Sequence, residues 1–586
     1  MKEISIPVLI VGGAGSGLSS AIFLSRLGIK SYLVEKYPTT SPAPKAHYLN
    51  ARTMEIFREI GLSETIYERS TPAENMASVG WYTSLGGNGP LDGKTIHVMD
   101  AFGGGSLKGK YEKHSPCWPA NYAQLHLEPV MYEFACQQEL IDLNFGHELV
   151  DFEQSPEGVT AEILVRETGE HYRVKAEYML GCDGGRFVGE KLGIKMEGIE
   201  RLFDMISVHF KADFSQYLDD DSPMIRWFIN PENGGSWGSG VMVAMGPSNY
   251  DRHSEEWLMH FSFDPDTVDF IELDELVEKI KELLRIPADS AIEVMHTNKW
   301  KVQGVLAERF RDGRVFLVGD SAHRHPPTTG LGLNSAIQDT HNLTWKLASV
   351  LKGEADESLL DSYEAERRAV TGRNVSWALF TFQNHLVIDA GLGMIPGAPI
   401  EVNRQAMLNL FADTDDGASR RARLEEVIKT QRAEFQAQDR EIGFSYECGA
   451  VISDGTPLPE KSPMGDDYIP TTRPGHRLPH AWVQLNGKRI STLDLVEGKT
   501  FALITGPENA EWKASAAKAS VPVKVVSIGA AGADYLDLNG EWQEVSGISD
   551  AGAVLVRPDN HVGWRSVEAV SNPNIADIVD QILGKK

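Results

Sequence analysis

The stretch from Arg314 to Leu347 constrains the fold of this chain more than any other part. Its apolar run, Val315 to Val318, is short and uninterrupted by polar residues, which predicts a strand buried on both faces. Gly319 and Asp320 follow directly, so a carboxylate stands at the carboxyl end of the strand, where open α/β sheets bind ligands. Such a carboxylate is suited to accept hydrogen bonds from the hydroxyl groups of a sugar or polyol.

A stiff loop follows this strand. Pro326 and Pro327 restrict the backbone, whereas Gly330 and Gly332 let it approach a flat ligand closely, so the loop is predicted to be neither helix nor strand. After Asn334, leucine and isoleucine side chains recur at helical spacing, which predicts a helix whose N-terminus faces the same ligand. An ordinary strand and loop with an acidic cap would explain a Gly-Asp pair alone, but not the whole stretch.

The N-terminus carries a second ligand-binding pattern. A buried-strand run, Pro7 to Val11, precedes a glycine-rich turn and an apolar helix, and a second strand, Ser31 to Val34, ends at Glu35. This order places a pyrophosphate on the helix N-terminus and a ribose on the carboxylate. The turn consists of Gly12, Gly13, Ala14, Gly15, Ser16 and Gly17. Ala14 replaces the middle glycine of the usual pattern, and its methyl group predicts a slightly shifted turn.

Together the two patterns resemble those of the class A flavin-dependent aromatic hydroxylases, which are FAD monooxygenases. Residues 319–334, GDSAHRHPPTTGLGLN, are similar to the GD motif that holds the ribityl chain and ring of FAD in that family. The resemblance implies that FAD contacts Gly319, Asp320, Pro327, Gly330, Gly332, Leu333 and Asn334. At the N-terminus it implies contacts with the whole turn from Gly12 to Gly17, and with Glu35 and Lys36.

Residues 42–55 resemble the phenol-hydroxylating branch of this family. In that branch a basic residue, here Lys45, lies beside the flavin, and the histidine two places on, here His47, points into the substrate pocket. The resemblance implies that His47 accepts the proton of the phenol. The alternative is a core histidine hydrogen-bonded to the backbone. Lys45 stands where many relatives carry arginine, so the charge is kept but the planar fork is lost.

Two further cofactor contacts follow from the resemblance. Gln124 is implied to contact FAD, although its position alone fits a polar residue at a helix start. The segment from Gly181 to Arg186 resembles the DG motif, in which Asp183 serves both FAD and the nicotinamide nucleotide. The usual serine and later arginine of that motif are missing, so nicotinamide contacts are not assigned beyond Arg186.

The chain is expected to have an α/β fold with four parts. These are a discontinuous, Rossmann-like FAD-binding domain (1–75, 115–190 and 300–390), a substrate-binding sheet domain (76–114 and 191–299), a helical connection (391–455) and a C-terminal domain (456–586). The last part resembles the thioredoxin-like domain of the phenol hydroxylase branch. Because no cysteine follows Cys448, it is expected to lack dithiol chemistry.

Alternating polarity between about residues 195 and 300 predicts an antiparallel sheet with one covered face. In the family this sheet covers the substrate. Trp227 stands on the strand that faces the ring in relatives, so it is the candidate substrate-binding residue. For four other apolar side chains the protein core is the favoured location, although they are candidates for the same pocket: Phe228, Trp237, Met242 and Met245.

Composition argues against several classes of function. The net charge of −27 disfavours nucleic-acid binding, which relies on clustered Lys and Arg. No apolar run has the length of a membrane span, and the first strand follows Met1 without a signal-peptide core, so a cytoplasmic location and no membrane partner are expected. His323 and His325 lie in a proline-rich loop, and no metal site is predicted.

The resemblance implies an NAD(P)H- and O2-dependent FAD monooxygenase that hydroxylates a small phenolic compound, ortho to its hydroxyl group, through a flavin C4a-hydroperoxide. NADH or NADPH is the expected co-substrate, and a homodimer or homotetramer is the expected assembly. Two alternatives stay open. One is a hydroxylase or epoxidase of aromatic polyketides with the same fold, and the other is a flavin-binding sensor without turnover.

Overall fold

The computed structural model of the chain describes residues 2–236, 238, 240–263, 272–530 and 532–585. Within these residues the chain forms three large sheets and the helices that connect them, which confirms the α/β fold class. Of the candidate pocket residues, Trp237 lies outside the described residues.

The first elements of the chain are β1 (Lys2–Val11), α1 (Gly15–Arg26), β2 (Ser31–Glu35), β3 (Tyr48–Leu49), α2 (Ala51–Ile60), α3 (Ser63–Arg69), β4 (Ser78–Tyr82), β5 (Thr95–Asp100), α4 (Lys108–His114), β6 (Ala120–Asn121), α5 (Gln124–Cys136), β7 (Ile141–Phe145), β8 (His147–Ser155), β9 (Gly158–Val165), β10 (His171–Gly181) and α6 (Val188–Lys191). They are followed by β11 (Met196–Lys211), β12 (Pro223–Phe228), β13 (Gly240–Gly246), β14 (Glu256–Phe263), α7 (Leu273–Leu284), β15 (Glu293–Ala307), β16 (Arg311–Asp312), β17 (Val315–Leu317), β18 (His323–Arg324), α8 (Leu331–Leu351), α9 (Asp361–Asn384) and α10 (Leu386–Leu392).

The remaining elements are α11 (Ile400–Phe411), α12 (Asp415–Ile428), α13 (Arg432–Phe435), α14 (Gln438–Ile442), β19 (Trp482–Leu485), β20 (Lys488–Ser491), β21 (Phe501–Thr505), α15 (Ala510–Ala516), β22 (Val523–Gly529), β23 (Tyr535–Leu536), α16 (Glu541–Ser546), β24 (Ala553–Val556), β25 (Val562–Ser566) and α17 (Ile575–Ile582).

The first sheet has the strand order β16-β17-β10-β1-β2-β7, and β9 and β8 extend it from β10. Strands β17, β10, β1, β2 and β7 run parallel. Val11 of β1 and Leu317 of β17 both pair with Gly181 of β10. The glycine-rich turn after β1, the DG motif after β10 and the Gly-Asp pair after β17 therefore lie side by side at the carboxyl edge of one sheet, where such sheets bind ligands.

Helix α8 begins at Leu331, earlier than the predicted start after Asn334. Residues 328–330 form a single 3-10 turn rather than the irregular loop that the sequence predicts. The reason is the left-handed backbone at Thr329 and Gly330, with φ angles of 64° and 62°, which turns the chain directly into the helix.

The second sheet has the order β18-β15-β11-β14-β13-β12-β4-β5. Its neighbours are antiparallel except for β12 and β4. On one face Phe228 and Met242 pack against helix α7 as core residues, the location that the sequence favoured. The other face carries Trp227, Val241 and His260, which are cross-strand neighbours and only half-buried. This half-buried face is available to a ligand.

The third sheet contains the C-terminal strands in the order β20-β19-β23-β22-β21-β24-β25. Strand β22 runs parallel to β21 and β23, and the other neighbours are antiparallel. Its likeness to thioredoxin stays a prediction, as do the domain boundaries.

A buried ionic cluster joins this sheet to helices α8 and α9. The Arg557 guanidinium lies 2.7 and 2.9 Å from the two carboxylate oxygens of Glu366. Lys346 Nζ lies 2.7 Å from Glu366, and Arg557 also contacts Asp559 at 2.5 Å. These side chains are at most 1% exposed. Each charge at this depth depends on its partners, because loss of one leaves the others unpaired away from water.

Candidate active site

The glycine-rich turn brings the start of α1 close to the neighbouring strand ends. Gly12 has a φ of 113°, and a Cβ there would clash with the carbonyl oxygen of Cys182. A Cβ at Gly17 would clash with the carbonyl oxygen of Gly12. Ala14 has φ −86° and ψ −169°, so its methyl group causes no backbone strain. The turn leaves the first N–H groups of α1 directed at the sheet edge, a geometry that binds anions.

Glu35, at the end of β2, is half-buried beside this turn. Its Oε2 accepts the N–H of Gly13 at 2.7 Å, and its Oε1 accepts the N–H of Tyr37 at 2.9 Å. The carboxylate is thus fixed where ribose hydroxyl groups can share it. Lys36 places its ammonium group 5.3 Å from the centre of the Tyr37 ring, and its contact with FAD stays a prediction.

Glu128 is the residue at this turn that sequence reasoning missed. Its Oε1 accepts the N–H of Gly15 at 3.2 Å and the side-chain amide of Gln124 at 2.5 Å, and its Oε2 accepts the N–H of Ser41 at 3.2 Å. Burial raises the pKa of Glu128, against the opposing effects of Gln124 and Lys45. Gln124 and Lys45 are therefore brought to the start of α1. The four-residue spacing of Gln124 and Glu128 on one helix is the pattern that could have identified the pair.

The Gly-Asp pair lies at the same edge. Gly319 has a φ of 61°, and a Cβ there would lie 3.0 Å from Ala336 Cβ and 3.3 Å from Ser16 Cβ, so the strand end contacts both α1 and α8. The Asp320 side chain is exposed, and within the described residues its carboxylate makes no hydrogen bond or ion pair. Its backbone carbonyl accepts Arg324 Nε–H at 3.0 Å. The carboxylate is free to accept hydroxyl groups of a ligand.

Asp183 follows β10 at this edge, but its carboxylate is engaged by the protein. Oδ1 accepts the Gly185 N–H at 3.0 Å and the Ser321 hydroxyl at 2.8 Å. Oδ2 accepts the N–H groups of Phe187 and Val188 at 2.7 and 2.9 Å. These bonds cap α6 and connect the DG motif to the Gly-Asp motif. The contact of Asp183 with FAD stays a prediction.

Helix α8 begins beside α1, and Asn334 fixes the loop that leads into it. Its Oδ1 accepts the Asn50 N–H at 2.9 Å, and its Nδ2 donates to the carbonyl groups of Tyr48 at 2.9 Å and Gly330 at 2.6 Å. Leu333 packs against the first residue of α1. The N-termini of α1 and α8 thus converge at one place, and apart from the Gly15 N–H, which Glu128 accepts, their first N–H groups bond to no side chain in the described part of the chain. This arrangement fits the pyrophosphate and the polar edge of a flavin.

A second buried carboxylate, Asp339, holds the Gly-Asp motif in place. Its Oδ2 lies 3.2 Å from the Gly319 nitrogen and 2.6 Å from His323 Nε2, and its Oδ1 accepts Arg367 Nε–H at 2.7 Å. Burial alone would raise the pKa of Asp339, but His323 and Arg367 hold it below the ordinary value. His323 is therefore a positioning residue for the Gly-Asp motif.

Gly332 differs from the other glycines of the site. A Cβ there would meet only His325 Nδ1, at 3.9 Å, and its φ is not positive. Within the described residues no contact requires glycine, whereas close approach of a ligand would. Pro327, at the start of the preceding 3-10 turn, sets the path of the backbone toward it.

We therefore expect Gly332→Ala to fold normally without FAD but to bind FAD at least about 10-fold more weakly, because the added methyl group occupies the space of the ligand. FAD affinity by flavin fluorescence and the melting temperature of the FAD-free protein are the measurements. Gly109→Ala, in α4, is the matched control, because a Cβ there meets nothing within 4 Å. Equal FAD affinity of Gly332→Ala and the wild type would show that FAD does not approach Gly332.

A buried carboxyl group, Glu441, lies behind the loop that carries Gly330. Tyr48 donates its hydroxyl to Glu441 at 2.6 Å, and a Cβ at Gly330 would lie 2.8 Å from the Tyr48 ring. Burial raises the pKa of Glu441 to about 7. The folded protein thus keeps a proton that the unfolded chain releases near pH 4.5.

The free energy of unfolding should therefore fall by about 3 kcal/mol as the pH rises from about 4.5 to 7. Below pH 4.5 Glu441 is protonated in both the folded and the unfolded chain, so its full contribution to stability is present there. Glu441→Gln, which cannot titrate, should remove this part of the pH dependence. Denaturant unfolding at pH 4.5 and 7 tests the expectation, and identical pH dependence in the variant would contradict it.

His47 lies next to the short pairing of β3 with β6. Its Nδ1 is 2.7 Å from Asn121 Oδ1, and Asn121 Nδ2 donates to Thr71 Oγ1 at 2.7 Å, which orients the amide. Because an amide oxygen only accepts, Nδ1 carries the ring proton and Nε2 keeps its lone pair. Burial lowers the pKa of His47, so the ring is neutral at neutral pH. The imidazole of His47 is thus hydrogen-bonded to the side chain of Asn121, whereas a core histidine, the alternative role, would bond to the backbone.

The half-buried face of the second sheet lies next to His47. The N–H groups of Tyr122 and Gln124 donate to the carbonyl groups of His47 and Ala46, at 2.7 and 2.8 Å. The segment between them packs through Ala123 against Val243, Met245 and Leu258 of the sheet.

Trp227 lies on that face. Its ring centre is 4.4 Å from that of His385, and the two planes are inclined by 30°. Within the described residues its indole nitrogen has no partner. The Trp227 ring is packed on one side and half-buried overall, which suits a wall of an apolar pocket, and its contact with substrate stays a prediction.

Neither a metal site nor a membrane-spanning helix is found in the described part of the chain. No group of three or more His, Cys, Asp or Glu side chains is arranged to hold a metal ion there. No helix in that part is long and apolar enough to span a membrane.

Two protein families match most of the chain, and known enzymes are similar to it over nearly its whole length. Residues 5–378 match the family described as FAD binding domain, and residues 471–585 match the family described as aromatic-ring hydroxylase, C-terminal. The 2,4-dichlorophenol 6-monooxygenase of Delftia acidovorans is 32% identical, over 96% of this chain and 95% of the relative. The tetracenomycin A2 monooxygenase-dioxygenase of Streptomyces glaucescens is 33% identical, over 97% of this chain and 94% of the relative.

A solved structure of a flavin-dependent monooxygenase has the same fold as this chain. The flavin-dependent monooxygenase PieE, solved in complex with FAD and substrate, superposes with a TM-score of 0.92 at 34% identity, covering 100% of both chains. The free Asp320 carboxylate, the fixed Glu35 and the two converging helix N-termini are the donor and acceptor set that FAD requires. The chain therefore belongs to the family of FAD-dependent aromatic-ring monooxygenases.

Proposed function

We propose that the protein hydroxylates a phenolic ring ortho to its hydroxyl group, with O2 as oxidant and NADH or NADPH as reductant. The observation that carries the proposal is the His47–Asn121 pair, which leaves a proton-accepting Nε2 beside the half-buried face of the second sheet. Cytoplasmic location and a homodimeric or homotetrameric assembly stay predictions.

FAD, when bound, supplies the reduction by NAD(P)H and the activation of O2. His47 accepts the proton of the phenol at Nε2, while Nδ1 keeps its bond to Asn121. Removal of this proton raises the electron density at the ortho carbon, which prepares the ring for oxygen transfer. The lowered pKa of His47 keeps the ring neutral, and thus able to accept, at neutral pH.

The remaining residues hold the two reactants and exclude water. Glu35 and the start of α1 receive the adenosine and pyrophosphate end of FAD, and Asp320 and the start of α8 receive its flavin end. Trp227 and the apolar cluster of Val243, Met245 and Leu258, all on the second sheet, cover the side of the substrate that faces away from the flavin. A dry pocket limits release of peroxide in place of product.

A hydroxylase of fused-ring polyketides is the second candidate, and the names of the relatives support it as well. Tetracenomycin A2 monooxygenase-dioxygenase and the putative polyketide hydroxylase of Streptomyces halstedii, 33% identical, are as similar to the chain as the phenol monooxygenases. Trp227, Val241 and His260 lie side by side on three strands of the half-buried sheet face, an extended surface that suits a wide ring system.

The test is NAD(P)H consumption and product analysis with ortho-substituted phenols against fused-ring hydroxyquinones. Formation of catechols from simple phenols supports the first proposal, and exclusive turnover of fused rings supports the second. No aromatic-stimulated NAD(P)H oxidation with either set would contradict both and favour a sensor.

A further inference from the structure

His260 lies on the half-buried face of the second sheet, and the mechanism above does not use it. Its Nδ1 is 2.8 Å from the hydroxyl oxygen of Ser207, which in turn receives the indole N–H of Trp300 at 2.9 Å. Ser207 is 3% exposed, so this chain of hydrogen bonds is shielded from water. A buried polar chain of this kind holds the ring in one orientation.

The chain of hydrogen bonds also fixes where the proton of the His260 ring lies. Ser207 Oγ already accepts the N–H of Trp300, and within the described residues His260 Nδ1 is the one hydrogen-bond acceptor beside the hydroxyl, so the Ser207 proton is directed to Nδ1. The neutral ring then carries its proton on Nε2. Within the described residues Nε2 makes no hydrogen bond, and the ring is half-buried. Nε2 of His260 is therefore an unused hydrogen-bond donor.

His260 and His47 lie close to each other at the half-buried face of the second sheet. Leu258, two residues before His260 on β14 and thus on the same face, packs against Ala123, which lies in the segment bonded to the backbone of His47. Burial lowers the pKa of His260 to about 3, and a positive charge on the nearby His47 adds to this effect. His260 is therefore neutral at neutral pH.

The two rings offer opposite chemistry to one ligand. His47 presents a lone pair, fixed by Asn121, and His260 presents an N–H, fixed by Ser207. A phenol hydroxyl that donates to His47 leaves the His260 donor unpaired unless the same molecule carries an acceptor. An unpaired buried donor is costly, so the pocket discriminates against rings without a second oxygen.

We propose that His260 is a specificity-determining residue that donates a hydrogen bond from Nε2 to a second oxygen, carbonyl or hydroxyl, on the substrate whose phenol hydroxyl meets His47. The inference rests on the proposed phenol hydroxylation and narrows its substrate class to aromatic rings with two oxygen functions. Trp300 and Ser207 are the positioning residues behind it.

The test uses matched pairs of ligands, the 2-, 3- and 4-hydroxyacetophenones and the isopropenylphenols in which a CH2 group replaces the carbonyl oxygen. Affinity is read from the perturbation of the flavin absorbance in the FAD-bound protein without NAD(P)H, and product formation is measured separately. The wild type should bind one acetyl isomer about 10- to 100-fold tighter than its isopropenyl partner. Comparing this ratio between variants cancels the electronic effect of the acetyl group.

His260→Phe should bring this ratio close to one without weakening the isopropenyl ligand, and His260→Gln, which keeps a donor, should retain part of it. Ser207→Ala should lower the ratio without changing the pocket wall, and serves if His260→Phe does not fold. An unchanged ratio in the variants, or no preference in the wild type, would overturn the role of His260 alone. Absence of any hydroxylated product from all phenols would instead overturn the proposed function.

Discussion

Replacing His47 with Asn should lower the rate of hydroxylation by about 100-fold or more while FAD stays bound, because the phenol then lacks its proton acceptor. NAD(P)H consumption should continue, with a larger share of its electrons released as peroxide. In the wild type the rate should fall as the pH drops through a value below 6.5, since burial lowers the pKa of His47. The variant should lack this acid limb. Product, peroxide and NAD(P)H measured together from pH 5 to 8 test all three expectations.

The matched control is His126→Gln. His126 lies on α5 and stacks on Tyr122 with ring centres 5.9 Å apart, and the charged groups that act on it are Glu256 and His209, at the end of β14 away from His260. This variant should keep the wild-type rate and coupling. Unchanged coupling and rate in His47→Asn would remove His47 from the mechanism, whereas equal losses in both variants would indicate general damage to the pocket.

Glu366→Ala should strongly destabilise the protein. It leaves Arg557 and Lys346 as buried cations without their shared carboxylate, a situation that costs about 3–5 kcal/mol. For a chain of this length the apparent melting temperature should fall by ~3 °C or more. Since the cluster joins α8 and α9 to the third sheet, the C-terminal part should become sensitive to proteases before the FAD-binding part does. Thermal melting and limited proteolysis are the measurements.

An exposed ion pair provides the control. Lys429 and Glu426, on the surface near the end of α12, lie 2.7 Å apart with most of the Glu426 side chain in water. Glu426→Ala should not change the melting temperature measurably, because water already solvates both charges. A Glu366→Ala variant as stable as Glu426→Ala would mean that the buried cluster does not connect the parts of the protein.

The sequence alone predicts the three ligand-binding motifs at the carboxyl edge of the first sheet, because each motif is a short run of consecutive residues. The run before Gly12, the acid at Glu35 and the Gly-Asp pair each depend on a few consecutive residues, and parallel strands place their carboxyl ends together. The sequence pattern places the start of α8 too late, because the left-handed backbone at Thr329 is rare for threonine and leaves no mark in the sequence.

The contacts that complete the site could not be predicted in the same way. Glu128 reaches Gly15 across 113 positions, and Glu366 meets Arg557 across 191. His260 is one of several polar residues on an alternating strand, and only the register of β14 with β13 and β11 shows which face it shares with Trp227. Such pairings are decided by tertiary packing rather than by local composition.

The arrangement around His47 and His260 bears on the choice between the two candidate substrate classes. A simple phenol satisfies His47 alone, whereas a ring system with a second oxygen satisfies both histidines. The inferred role of His260 therefore favours oxygen-rich aromatic substrates, including fused rings, over chlorinated or alkylated phenols.

Ionisation of a bound nitrophenol tests the central claim, that His47 takes the phenol proton, most directly. Nitrophenols change colour on losing this proton, so a pH titration of the FAD-bound protein with ligand, without NAD(P)H, reports the event itself. We expect the bound nitrophenol to ionise at a lower pH in the wild type than in His47→Asn, with equal FAD content in both. Identical titration curves for the two proteins would contradict the account.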